Sequence, residues 1–302
     1  MIALIDLYGK ELLKVNGFSQ STVETYLISI KAFCGFVKNE LKVSIGNIKG
    51  PDLIRWMRYV KQTGIGQTRM EHHHYALKSF FGFLEKSGHI SKNPADVMPL
   101  MINRKRNRTN PIPASDAFTL LDSFDRNAWL GLRNYTMVSL LWALGLRTAE
   151  LTGLAVGSFE TGHGKRIGLL RMRGKNKKQR ALFVVDRLFD ALNRYLAHPL
   201  SPKIKRAPLF PGQPDKPLSK SRLQRIVKDQ AKAAGIKPNV TPRVLRHSFA
   251  TEMYHQNVPL SAIQAMMGHE STSETSIYVH VSDKLKQQAL DAIWISRRLS
   301  WE

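Results

Sequence analysis

A single cysteine, Cys34, stands in a chain of 302 residues. An intramolecular disulfide and a cysteine-rich metal site are therefore excluded, and a reducing compartment fits. Cys34 lies among Phe33, Phe36 and Val37, a setting that predicts a packing role. Acidic residues are scarce, with 23 Asp and Glu against 46 Lys and Arg. Long apolar runs are missing too. The chain opens Met1-Ile-Ala-Leu-Ile but meets Asp6, Lys10 and Glu11 at once, so neither a signal peptide nor a membrane span is expected, and the cytoplasm is the expected location. There is no Gly-x-x-x-x-Gly-Lys-Ser/Thr segment to cradle a nucleotide and no His-Glu-x-x-His pair to hold a metal. His72, His73 and His74 do not replace one, because consecutive helical side chains point about 100° apart and cannot converge on an ion. That run is expected on a helix surface facing a nucleic acid, and neither metal nor cofactor is expected.

What the chain does have is positive charge, a formal +23. So large an excess on one chain predicts a polyanionic partner met over a broad surface, nucleic acid first. An apolar content of 43% over this length suffices for two cores. In residues 1–98, Ser21-Thr-Val-Glu24 reads as a capping box, and Val23, Tyr26, Leu27, Ile30, Phe33 and Val37 follow at helical spacing. Pro51 reads as a helix first position before Leu53, Ile54, Met57 and Val60. Leu77, Phe80, Phe81 and Leu84 mark a helix closed by Gly88 and Asn93-Pro94. With the stretch 4–15 this predicts four helices. Residues 99–113 read as a linker whose Arg104, Lys105, Arg106 and Arg108, with no acidic residue, suit a strap along a phosphate backbone.

Residues 114–302 read as mostly helical, except that 167–185 holds two β-prone runs around Gly174-Lys175-Asn176-Lys177-Lys178, the pattern of a hairpin and its tip. The fold class is thus mainly α with a small β-hairpin or sheet, a helical N-terminal domain preceding a mixed α+β domain. The last segment, with Leu285, Ala289, Leu290, Ile293 and Trp294 at helical spacing, needs a cover, from its own domain or a neighbour.

A phosphodiester under attack spreads negative charge over its nonbridging oxygens, so a catalyst needs fixed donors around them. Arginine supplies a planar fork that engages two oxygens and keeps its charge at any working pH. Arg147, in Gly145-Leu146-Arg147-Thr-Ala-Glu150, and Arg246, in Arg243-Val-Leu-Arg246-His247, are read as a phosphate clamp. Glu150 either holds the Arg147 guanidinium or serves as an ordinary carboxylate at a helix start. Tyr278, nine positions after Gly268-His269, is read as the nucleophile. A phenolate leaves more readily than an alkoxide, so a phosphotyrosyl link can be reversed by a DNA hydroxyl. Lys175 suits the general acid that protonates the departing 5′ oxygen, with Lys177 and Lys178 as rivals. His269 either donates to a phosphate oxygen or helps take the tyrosine proton. Lys220, Arg222 and Arg225 are candidates for DNA contact.

The ordered set Arg147, Lys175, Arg246, His269 and Tyr278, with the tracts 244–251 and 268–280, resembles tyrosine recombinases of the phage-integrase and Xer type over nearly the whole chain. The resemblance implies a core-binding domain over 1–98 and a catalytic domain over 114–302. It implies conservative site-specific recombination through a 3′-phosphotyrosyl intermediate, without ATP or metal. The implied partners are a double-stranded DNA recombination site and further copies of the chain, a tetramer of two dimers on DNA in which the helix around Trp294 is a candidate for docking on a neighbour, with packing on its own domain the alternative. The implied setting is the nucleoid of a prokaryote, with the gene carried by chromosome, phage or mobile element. One position departs: Arg243 stands where the family usually has histidine, three residues before the second clamp arginine. Arginine can donate to a phosphate oxygen but cannot act as a base near neutrality. Arg243 is kept in the catalytic set on the first ground. Two other readings share these features, a catalytically silent DNA-binding module and a type IB topoisomerase-like enzyme that relaxes supercoils without joining two sites.

Overall fold

A computed structural model describes residues 2–15, 17–99, 110–162, 166–173, 179–213, 215–237 and 239–268. The fold is mainly α-helical with small antiparallel sheets. It divides into two compact units, Met1–Asn107 and Arg108–Glu302.

The first unit is built on α1 (Ile2–Lys14), α2 (Gln20–Phe36), α3 (Gly50–Gln62) and α4 (Gln67–Lys86). Helix α2 starts earlier than the capping-box pattern implies. Ser19 is its N-cap, with Oγ accepting from the Thr22 amide at 3.3 Å, so Ser21 and Glu24 fall inside the first turns. The free amides at a helix start accept whichever hydroxyl reaches them, and Ser19 offers the same side chain two residues sooner. Pro51 sits in the first turn of α3, as expected, and Asp52 accepts from the Lys49 amide at 2.9 Å. The core is strongly aromatic. Phe33 meets Trp56 and Phe81 edge to face at 5.7 and 5.9 Å, and Tyr8 meets Phe80 at 5.2 Å. Such pairs contribute beyond their buried area. Cys34 is buried among them, and desolvation pushes its thiol up to about 11.

The histidine run corrects the surface expectation. His72 is exposed, but His73 and His74 are 8% and 3% exposed, and His73 stands edge-on to Trp56 at 5.6 Å. Helix α4 packs against both α2 and α3, so its buried stripe is wide enough to take in consecutive positions. Burial holds both imidazoles below the ordinary histidine range, which keeps them neutral at pH 7.

The second unit is organised by α6 (Trp129–Leu144), whose residues 137–144 are all buried. A helix apolar on every side belongs in the middle of a core. Around it pack α5 (Ala114–Asp122), α7 (Thr148–Thr152), α8 (Asp186–Ala197) and α10 (Pro242–His255). Helices α9 (Lys220–Ala233) and α11 (Leu260–Met267) complete the described helical part. The expected hairpin is present as β2 (Ile167–Arg173) and β3 (Gln179–Val185), paired antiparallel from Ile167 opposite Val185 to Arg173 opposite Gln179. Strand β1 (Phe159–Glu160) adds a third strand beside β2. Two residues carry no alternation to read, so sequence patterning is silent about it. A second ribbon pairs β4 (Pro211–Gln213) with β5 (Lys216–Pro217). Ile112, in the stretch read as linker, is buried and donates its amide to Ser248 Oγ at 2.8 Å, which ties the chain to α10 just before α5 begins.

Arg133 on α6 is buried, donating to Pro211 O at 2.8 Å and, from Nε and Nη2, to Asn134 Oδ1 at 3.2 and 3.0 Å. Among the described residues no carboxylate pairs with it, and burial pushes its guanidinium below the ordinary arginine range. Asn134→Asp supplies the missing charge at the oxygen Arg133 already uses. A charged acceptor is worth about 1 kcal/mol more than a neutral one, so Tm of this unit is expected to rise by roughly 3 °C in scanning calorimetry. An unchanged or lower Tm would mean that desolvating the new carboxylate cancels the pair.

Candidate active site

The site begins where α6 stops. Gly145 takes the left-handed conformation, φ 57°, and a Cβ there would lie 2.4 Å from the Phe249 ring, so only glycine makes this turn against α10. Leu146 is buried, and Arg147 follows as the N-cap of α7 in extended backbone. Glu150, at the third position of that helix, reaches back so that its Oε2 accepts the Arg147 amide at 2.7 Å. Its Oε1 accepts Arg147 Nη1 at 3.1 Å. Cap and guanidinium holder, the two readings of Glu150, are one arrangement.

The carboxylate serves more than Arg147. Arg180 Nη2, from β3, donates to Glu150 Oε2 at 2.8 Å, and Arg246 Nη1, from α10, stands 4.0 Å from the same oxygen. Glu150 is only 4% exposed at its side chain. Arg147 is the open member at 39%, while Arg180 and Arg246 are recessed at 15% and 12%. Three guanidiniums around one carboxylate leave a local charge of 3 − 1 = +2. Burial is the largest cause of a downward push on the Arg246 guanidinium, to about 10, with Arg147 and Arg180 adding to it and Glu150 opposing. Arg180 is pushed below the ordinary arginine range by burial, against Glu150.

Helix α11 closes the site with its C-terminus. The last carbonyls of a helix lack intrahelical partners and carry partial negative charge. Here three consecutive ones are taken by the three arginines: Arg180 Nη1 donates to Met266 O, Arg246 Nη2 to Met267 O at 2.7 Å, and Arg147 Nη2 to Gly268 O. Arg246 Nη1 also donates to Gly145 O at 2.6 Å, so this residue spans the ends of α6 and α11. Gly268 is left-handed, φ 62°, and a Cβ on it would approach Arg180 Nη1 and Arg147 Nη1 to 3.2 and 3.3 Å. The chain end of α11 thus rests directly on two guanidiniums.

Of the residues expected in the site, the fold brings Arg147, Glu150 and Arg246 together. Arg243 lies one turn before Arg246 on α10 but is exposed, with no hydrogen bond or ion pair to another described residue. Lys220, Arg222 and Arg225 are exposed on α9, which Ser219 caps through the Arg222 amide at 3.2 Å. Lys175, Lys177, Lys178, His269 and Tyr278 lie outside the described residues, as do Arg104, Lys105, Arg106, Arg108 and Trp294. Arg180 is the residue that sequence reading missed. Its signal was phase: Arg180 shares a strand face with Leu182 and Val184, both buried, so an arginine was due to point inward. Among the described residues no group of three His, Cys, Asp or Glu can hold a metal ion, and no helix is long and apolar enough to cross a membrane.

Residues 112–284 match the family model described as Phage integrase family, and residues 5–88 match that of the phage integrase N-terminal SAM-like domain. Tyrosine recombinase XerC of Thermodesulfovibrio yellowstonii is 30% identical over 276 residues, 89% of this chain and 88% of that protein. Tyrosine recombinase XerD of Listeria monocytogenes is 28% identical over 294 residues, 92% of this chain and 94% of that one. Among solved structures, XerH recombinase bound to a palindromic difH substrate is similar with TM-score 0.68 at 21% identity, over 96% of this chain and 85% of that chain. A lambda integrase dimer bound to a COC′ core site gives 0.67 at 18%, over 90% and 95%. These two likenesses establish the fold.

Proposed function

The chain belongs to the phage integrase family, and from that premise we propose that it is a site-specific tyrosine recombinase whose clamp is the cluster around Glu150. The observation that carries this is the +2 charge left by three guanidiniums on one buried carboxylate. A phosphodiester brings one negative charge and its five-coordinate transition state about two, so the site is matched to the charge that develops rather than to the ground state.

Arg147, the open guanidinium, and Arg246 receive the nonbridging oxygens, and Arg243 adds a donor from one turn before Arg246. The Tyr278 phenol oxygen attacks phosphorus and the bond to the 5′ oxygen breaks. That oxygen takes a proton from Lys175, and the phenolic proton passes to His269 or, where His269 instead donates to a phosphate oxygen, to solvent water. The product is a 3′-phosphotyrosyl link and a free 5′ hydroxyl, which attacks the equivalent link on a partner strand. Bonds broken and formed balance, so neither ATP nor a metal ion is called for. Residues 1–98 and 114–302 each contact DNA, the basic stretch 99–113 meets its backbone, and Lys220, Arg222 and Arg225 add phosphate or base contacts. Four copies act on two duplexes, joined in part by the segment around Trp294, in the cytoplasm of a bacterial cell.

The test uses nicked DNA duplexes from the gene's own neighbourhood. A denaturant-resistant adduct is expected, and peptide mapping of it should place the nucleotide on Tyr278. Tight DNA binding with no adduct on any such duplex would favour the silent module. Relaxation of a plasmid lacking the site, with no joining of two sites, would favour topoisomerase action.

A further inference from the structure

Arg180 supplies one of the three positive charges of the cluster, but no contact with the phosphate is assigned to it. Its strand face is a core face: Met172, its cross-strand partner, and Leu170, Leu182 and Val184 are all buried. An arginine there loses hydration, and its Nε is buried with no hydrogen-bond partner among the described residues. A buried unmet donor is costly, so apolar packing on this face gives no reason for arginine at this position. Its placement makes sense through what the other two nitrogens hold. Nη2 takes Glu150 Oε2, which leaves Oε1 to Arg147, and Nη1 takes Met266 O one residue before the carbonyl used by Arg246.

We propose that Arg180 is a positioning residue of the clamp: by holding one oxygen of Glu150 and the end of α11, it sets the orientation in which Arg147 meets the phosphate. The inference rests on the clamp reading of Arg147 given above. Glu150 Oε2 is shared by the Arg147 amide and Arg180 Nη2 while Oε1 takes Arg147 Nη1, so Arg180 adds from β3 the tie that sets the carboxylate plane, and with it the Arg147 fork. Arg147 is otherwise anchored to Gly268 O, and the Cα of that glycine faces Arg180 closely enough that a Cβ there would lie 3.2 Å from Arg180 Nη1.

The experiment is a double-mutant cycle on the full-length chain, read as the single-turnover rate of adduct formation on nicked DNA, with Arg180→Met, Arg147→Ala and the pair. Methionine keeps length and apolar packing. Arg180→Met is expected to slow cleavage about 100-fold, the scale of a small misplacement of a reacting group, at unchanged DNA affinity. Arg180→Met added to Arg147→Ala is expected to cost less than about 3-fold more, because a residue acting through another has nothing left to position. A further loss near 100-fold in the pair would overturn the proposal, since independent contact with DNA or a general structural role would both multiply. No loss from Arg180→Met alone would overturn it as well. Wild-type cleavage by Arg147→Ala would instead remove the clamp reading, and the inference with it. If Arg180→Met fails to fold, Arg180→Lys takes its place in the cycle, with the same expectations, since an ammonium cannot hold Glu150 and Met266 O together.

Discussion

Glu150→Gln is expected to lower the stability of the second unit by about 3 kcal/mol, near the lower end for breaking a buried ion pair by removing one partner. The lower end applies because Arg147 is 39% exposed and partly screened by water. Glutamine keeps the shape, and its one acceptor oxygen still receives a hydrogen bond. What it removes is, among the described residues, the one carboxylate within reach of these three guanidiniums, two of them recessed. The ionisation of Arg246 already shows the pressure. Its folded value, about 10, lies below the ordinary arginine range, so above about pH 10 the folded state sheds a proton that the unfolded state still keeps. From this group stability therefore rises with pH only through that alkaline window, and throughout the neutral range the charge is carried at a cost. Urea unfolding at pH 7 measures the deficit. Inorganic phosphate, which neutralises the cluster, should stabilise Glu150→Gln more than the wild-type chain. A loss under about 1 kcal/mol, insensitive to phosphate, would mean that water already screens the cluster and that the +2 site does not hold.

Arg246→Met is expected to slow adduct formation about 1,000-fold, the upper range for losing one preorganised donor at a developing oxyanion, while costing little stability. Arg246 spans Gly145 O and Met267 O, so its guanidinium is held before any phosphate arrives and needs no reorganisation during the reaction. Its removal also lifts a desolvated positive charge away from Arg147 and Arg180, which offsets the two hydrogen bonds lost. Catalysis and stability should then move separately, as they do where a site is built for chemistry rather than for folding. Arg246→Lys should be nearly as slow, since a single ammonium cannot bridge two carbonyls and still present a planar fork. Rate on nicked DNA and Tm, measured on the same preparations, decide the point. A rate loss that tracks a large drop in Tm would make Arg246 a structural residue.

The ordered spacing of Arg147, Glu150 and Arg246 was legible in the chain because each lies in a local pattern, a helix start after Gly145 and a helical turn before His247. So were the helices of the first unit and the β2–β3 hairpin, which periodicity encodes. Arg180 was not, although its strand phase pointed inward, because the reason for an inward arginine is a carboxylate 30 positions away in sequence. The start of α2 at Ser19 and the burial of His73 and His74 were missed for related reasons. A cap is chosen by which side chain reaches free amides in three dimensions, and the width of a buried stripe depends on how many neighbours a helix has.

By itself the sequence determined the polyanion-seeking charge, the periodicities of helix and hairpin, and the residue types from which a phosphate clamp and a nucleophile are proposed. Only tertiary structure decided that three arginines share one buried carboxylate and the last carbonyls of α11. Composition and periodicity are local properties, whereas a cluster's net charge and desolvation arise from residues that the chain brings together only when β3, α7, α10 and α11 converge.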